Sequence, residues 1–142
     1  MDSRGIARIG LAGLAIALVV GVGGRALAQD QVDDALSSAG KVWYDRYCTP
    51  CHGAGGAPGT AVSRTTKQPV DLRTYVQSHG GSFPTTDWIA VVTDSRPASV
   101  HARVWERIRR DQAAGSRSSR SEAVARGTVG LIARYVNSIQ TK

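Results

Sequence analysis

The only two cysteines stand three positions apart in Cys48-Thr49-Pro50-Cys51-His52, with an imidazole directly after the second. Two thiols at that spacing on one turn can each form a thioether with one vinyl side of a single porphyrin. The adjacent His52 then presents its ring to the iron as the proximal axial ligand. In an exported protein the pattern C-x-x-C-H marks covalent haem c attachment, so Cys48 and Cys51 are the candidate tethers and His52 the candidate metal ligand. Three other chemistries use similar residues. A structural zinc site needs four ligands, usually as two pairs, and no second cysteine pair exists here. A thioredoxin-like dithiol follows a strand in a βαβ unit, whereas a helical pattern leads into Cys48. A plain structural disulfide stays open at this stage, although it gives His52 no purpose.

The elements that must hold these residues read as short helices. From Asp33 to Tyr47 the apolar positions Leu36, Ala39, Val42 (or Trp43) and Tyr47 recur at helical spacing. Asp30, Asp33 and Asp34 suit the start of such a helix, where its dipole favours negative charge. Residues Gly53 to Lys67 are rich in Gly, Pro, Ser and Thr and predict a loop. Asp71 to Ser78 predicts about two helical turns with Leu72, Tyr75 and Val76 inward, ended by Gly80-Gly81.

Thr85 or Thr86 is placed to cap a helix carrying Trp88, Ile89 and Val92, and Pro97 breaks the stretch after it. Val100 to Arg110 spaces Val104, Trp105 and Ile108 helically, and Ala113 to Ser121 predicts an exposed loop. Glu122 to Ile139 has the cleanest pattern: Val124, Thr128, Leu131 (or Ile132), Tyr135 and Ile139 on one face. No alternating run is long enough for a sheet. The expected class is all-α, a small helical domain.

The 142 residues, 42% hydrophobic and 20% charged, suffice for one small core and exclude wholesale disorder. The first 28 residues read as an address instead. Arg4 and Arg8 precede the apolar run Ile9 to Val22, and Ala26-Leu27-Ala28 gives small residues at the −3 and −1 positions ahead of Gln29. That is the form of a secretory signal, with an uncleaved anchor as the lesser alternative because the run is short and broken by glycines. The expected organisation is therefore a signal at residues 1–28 and one domain at 29–142, working in the periplasm. Cleavage would lower the net charge from +7 to +5, since the leader holds three Arg and one Asp. The exported part stays basic, and nucleic-acid binding is disfavoured by export and by the lack of any recognition motif.

The stretch from Gly40 through Tyr44 to Cys48-Thr-Pro-Cys-His52-Gly53 resembles the opening of a class I cytochrome c. In that family a glycine and an aromatic sit eight and four residues before the first cysteine, as Gly40 and Tyr44 do. Leu131-Ile-Ala-Arg-Tyr135-Val-Asn-Ser-Ile139 is similar to the family's last helix, which crosses the first with an aromatic near the contact. The resemblance spans residues 36–139 and is strongest at its two ends; Val70-Asp71-Leu72 and Gly80 to Pro84 look like segments of some bacterial relatives. It implies a helical domain wrapped around one haem.

The sequence departs from that family at the iron's sixth ligand. Class I cytochromes usually supply a Met sulfur from the second half, and the only Met here is Met1. His101, shortly before Val104-Trp105, is the candidate distal ligand, against an open or water-bound iron. His79 and Lys67 are lesser candidates. Trp43, Trp88 and Trp105 are candidates to wall a haem crevice.

Two functions compete. One is a periplasmic carrier of single electrons, not an enzyme, cycling Fe(II)/Fe(III) for a redox partner with an acidic docking face. Arg103, Arg107, Arg109, Arg110, Arg117, Arg120, Arg126 and Arg134 would attract that face, and a membrane-bound partner would bring transient membrane association. The other is an open-site haem that binds a small ligand, as a gas sensor, a peroxide-reactive haem or a subunit of a larger oxidoreductase.

Overall fold

The computed structural model describes residues 27–57, 69–113 and 118–141. The expected leader lies outside these residues except for Leu27 and Ala28, and Lys67 and Arg117 lie outside them too. The protein divides into two compact units, Met1–Ala35 and Leu36–Lys142. Of the first, residues 27–35 are helical and exposed. The second holds the core and every candidate site residue.

Helix α1 occupies residues 27–47, and its part from Leu36 onward belongs to the second unit. The backbone then makes α2 (Thr49–His52), a 3-10 turn at Ala54–Gly56 and a 3-10 helix at Leu72–Ser78. Three longer helices come next: α3 (Thr85–Val92), α4 (Ala102–Ala113) and α5 (Ser118–Ser138). Among the described residues there is no strand, so the all-α class holds. Also among them, no helix is long and apolar enough to cross a membrane.

Helix α5 organises the unit. Its buried face, Ala125, Val129, Ile132 and Val136, receives Trp88 and Val92 of α3 and Trp105 and Ile108 of α4 in one apolar cluster. α1 crosses its C-terminal half, where the Tyr44 and Tyr135 ring centroids lie 5.1 Å apart. Nearby, Ser37 donates to Ser138 Oγ at 2.8 Å. An ideal Cβ on Gly40 would stand 2.0 Å from the carbonyl oxygen of Leu131, so only glycine permits this approach. The C-terminal residues then fasten the 3-10 helix: the Val76 amide donates to Gln140 Oε1, and Gln140 Nε2 donates to the Leu72 carbonyl.

Three local expectations need correction. The helix after Pro84 has that proline at its N-cap and no capping side chain, so neither Thr85 nor Thr86 caps it; both stand exposed in the first turn. Helix α5 begins at Ser118, four residues earlier than expected, and Ser121 is buried rather than looped out. On α5 the expected face is buried at Thr128, Ile132 and Tyr135, but Val124 is 45% exposed while Ala125 is fully buried. On α1, of the alternatives Val42 and Trp43, it is Trp43 that packs against the core, and Tyr44 and Tyr47 are buried.

Candidate functional site

The turn that holds Cys48 to His52 is built directly onto the end of α1. The Cys48 amide donates to the Tyr44 carbonyl at 2.8 Å, and the His52 amide to the Cys48 carbonyl at 2.9 Å. Pro50 fits the first turn of α2, where its missing N–H costs nothing. Gly53 ends the turn at φ 72°, a left-handed backbone that favours glycine. The buried Tyr44 hydroxyl donates to the Gly53 carbonyl at 2.8 Å, so the aromatic four residues before Cys48 fixes the far end of the same turn.

This turn forms one wall of a cavity of about 410 Å³. Tyr47, Cys48, Cys51 and His52 line it on one side, and Pro69, Val70, Leu72 and Tyr75 come from the segment before and within the 3-10 helix. Trp88, Val91 and Val92 of α3, with Val100, His101 and Val104 at the start of α4, complete it. The lining is largely apolar. Of the three tryptophans only Trp88 lines it; Trp105 is buried in the core with α5, and Trp43 stacks on Tyr47 with centroids 6.0 Å apart.

His52 and His101 face one another across this space. Their ring centroids are 6.4 Å apart with planes inclined by only 15°. Two imidazoles bonded to opposite sides of one metal at about 2.0–2.1 Å each would have centroids about 6.3 Å apart once the ring radii are added. His52 Nδ1 lies 3.2 Å from the Val70 carbonyl oxygen, so Nδ1 carries the proton and donates it, leaving Nε2 with a free lone pair. His101 Nδ1 is buried with no hydrogen-bond partner. Such an atom is costly unless a bond from outside the protein completes the ring's surroundings.

Both imidazoles are biased toward the neutral form that binds metals. Burial lowers the His52 pKa against the opposing pull of the Val70 carbonyl. Burial lowers His101 as well, helped by the proximity of His52, with the Val91 carbonyl and Asp94 opposing weakly. Cys48 and Cys51 are free thiols. Burial, then the neighbouring Cys51, pushes the Cys48 thiol up to about 12, the reverse of the activated thiolate a dithiol redox catalyst needs. Among the described residues no three His, Cys, Asp or Glu side chains group to hold a bare metal ion. The donor set therefore fits a planar group that brings its own metal: two thiols and two neutral imidazoles around an apolar slot.

His79 takes no part. It is exposed, its Nδ1 lies 2.8 Å from the Tyr75 carbonyl, and its ring stacks on Tyr75 with centroids 4.0 Å apart. Two contributors to the site escape a reading of side-chain types. The Val70 acceptor is a backbone carbonyl. Asp94 binds Arg96 next to His101, with Arg96 Nη2 donating to Asp94 Oδ2 at 2.7 Å and the Arg96 amide to Oδ1 at 3.0 Å. Asp-x-Arg-Pro at 94–97 is the only hint of that turn in the sequence.

Arg96, through its side chain first and its amide second, holds the Asp94 carboxyl down to about 2. The folded value lies below the unfolded one, so this contribution is complete above about pH 4 and is lost as pH falls toward 2. Stability measured between those limits should fall less steeply in Asp94→Asn than in the unaltered protein. Equal slopes in urea titrations across that range would refute the assignment.

Compared with family models, with curated proteins and with solved structures, the sequence and fold match none.

Proposed function

We propose that the protein is an exported mono-haem c-type cytochrome that carries single electrons, with His52 and His101 as the two axial ligands. The observation that carries this reading is the pair of near-parallel imidazoles 6.4 Å apart in an apolar cavity walled by both cysteines. Cys48 and Cys51 would hold the porphyrin by two thioethers. The bound iron supplies one-electron Fe(III)/Fe(II) chemistry. The α1–α5 crossing at Gly40, beside Tyr135, supports the likeness to class I cytochromes c.

The protein's own residues perform three tasks in this reading. The Val70 carbonyl orients His52 and raises its basicity by taking the Nδ1 proton. Leu72, Trp88 and Val92, all buried, exclude water from the cavity wall. His52 and His101, neutral and held on opposite sides, fix the ligand set so that little must rearrange when the charge on the metal changes. Two imidazoles without a Met sulfur predict a lower potential than a Met/His relative would have. Exposed Arg103, Arg107 and Arg110 on α4 lie near His101 and Val104 in sequence and suit an acidic redox partner. The periplasm is the proposed compartment, from the leader and the attachment motif together.

The test is ferric EPR on protein matured with haem-attachment factors. A low-spin signal in the unaltered protein, turning high-spin in His101→Ala, is the expected result. A high-spin signal in the unaltered protein would overturn His101 as a ligand and favour the open-site reading.

A further inference from the structure

Two openings meet at His101. One is the apolar cavity; the other is an open groove of about 640 Å³ along Asp94, Arg96 and Ser99. The two share Val91, Val100 and His101 as walls. His101 therefore stands between the groove and the cavity.

The two facing imidazoles are held very differently. His52 follows Cys51 on α2, its ring is tied to Val70, and the turn is pinned by Tyr44. His101 ends a segment that is bonded mainly to itself. Among the described residues, the backbone hydrogen bonds of residues 94–101 close within 94–105: Ser99 to the Arg96 carbonyl, Ala102 to Ser99, and Trp105 to His101. The Asp94–Arg96 pair and a 3.3 Å bond from the His101 amide to Ser99 Oγ add to these, and outside the segment the His101 ring interacts with the Val91 carbonyl. Residues 95–98 are exposed, and Val100 is 60% exposed. Segments with few buried contacts and solvent-facing backbone bonds open at a small fraction of the global unfolding free energy.

We infer that His101 is a displaceable ligand, and that the groove admits a small neutral diatomic molecule of the carbon monoxide and nitric oxide class to take its place. This rests on the two-histidine haem reading above. In the exchange the bond between the His101 imidazole and the iron breaks, and one from the incoming donor atom forms. No electron is transferred, and no proton is needed because the imidazole leaves neutral. The neutral class is set by the walls: Val91, Val100 and Val104 offer an entering anion nothing to replace its hydration. The protein then binds such a ligand in addition to carrying electrons, and binding moves the 94–101 segment.

Stopped-flow mixing of ferrous holoprotein with carbon monoxide tests this. The binding rate should rise and then level off with carbon monoxide concentration, because departure of His101 limits it. Asp94→Ala removes the pair that stiffens the segment and should raise the plateau about three- to tenfold. Ser99→Ala should raise it in the same direction, and His101→Ala should abolish the plateau and leave a linear dependence. Low-spin protein that binds no carbon monoxide, or a plateau unmoved in both Asp94→Ala and Ser99→Ala, overturns this inference alone. A high-spin resting iron overturns the two-histidine reading beneath it, and haem that extracts freely into acidified acetone overturns covalent attachment.

Discussion

Gly40→Ala should be the most damaging single methyl that can be added to the fold. The new Cβ would stand 2.0 Å from the Leu131 carbonyl oxygen, 2.7 Å from its carbon and 3.1 Å from Tyr135 Cβ. The first two atoms are backbone of α5, so no side-chain rotation relieves the clash. Either α1 lifts off α5, or α5 shifts and takes the buried Ile132 and Val136 with it. Overpacking of a rigid contact costs about 3 kcal/mol or more where neither side can yield. At about 4–8 °C per kcal/mol for a unit of this size, the midpoint of thermal unfolding should drop by at least about 10 °C. Gly127→Ala is the control: nothing lies within 4 Å of its added methyl, and a helix interior favours alanine over glycine by about 1 kcal/mol. Equal midpoints for Gly40→Ala and the unaltered protein, read by circular dichroism, would mean that the two helices do not meet as closely as described.

That crossing is legible in the sequence, and the reason is physical. Gly40 and Tyr44 lie four residues apart on one helix, with Cys48 four further on just past its end, and such spacing projects onto a single face whatever the rest of the fold does. The five-residue turn from Cys48 to His52 is legible for the same reason, since its geometry is local. Trp105 and Ile108 on α4 reveal themselves by their own periodicity. The features that escape depend on partners distant in sequence. Nothing in the order of residues says that Trp88 rather than Trp105 walls the cavity, because that is decided by how α3 and α4 tilt on α5. The buried face of α5 keeps Thr128, Ile132 and Tyr135 of the expected stripe but is wider than its larger residues suggest, because two alanines, Ala125 and Ala133, join the buried cluster with α3 and α4. Small residues add little periodic signal. The Val70 carbonyl leaves no trace either, since every residue type supplies the same backbone acceptor. His101 falls between these cases. Its type and its place before Val104-Trp105 mark it, but only the ring facing His52 across the cavity distinguishes it from His79, whose imidazole is already engaged with Tyr75.

His52→Ala should separate the haem reading from the disulfide reading more cleanly than any change to the cysteines. Cys48→Ser and Cys51→Ser each leave one thioether, but both would also break a disulfide, so their failure is ambiguous. His52 would contribute nothing to a disulfide. In the haem reading it supplies the axial bond that the Val70 carbonyl prepares. Loss of an outer partner of a metal-binding histidine alone costs about 10–100-fold in affinity, so loss of the ligand itself should reduce holoprotein by at least about tenfold. The pyridine haemochrome spectrum of protein expressed with the maturation factors measures this directly, against total polypeptide quantified in parallel. Cys48→Ser and Cys51→Ser should also incorporate haem poorly, with the residual fraction shifted to the spectrum of a single thioether. Normal holoprotein yield from His52→Ala would refute the proximal assignment. A protein that folds equally well with and without His52, holds no haem in any form and loses stability only when a cysteine is replaced would establish the disulfide instead.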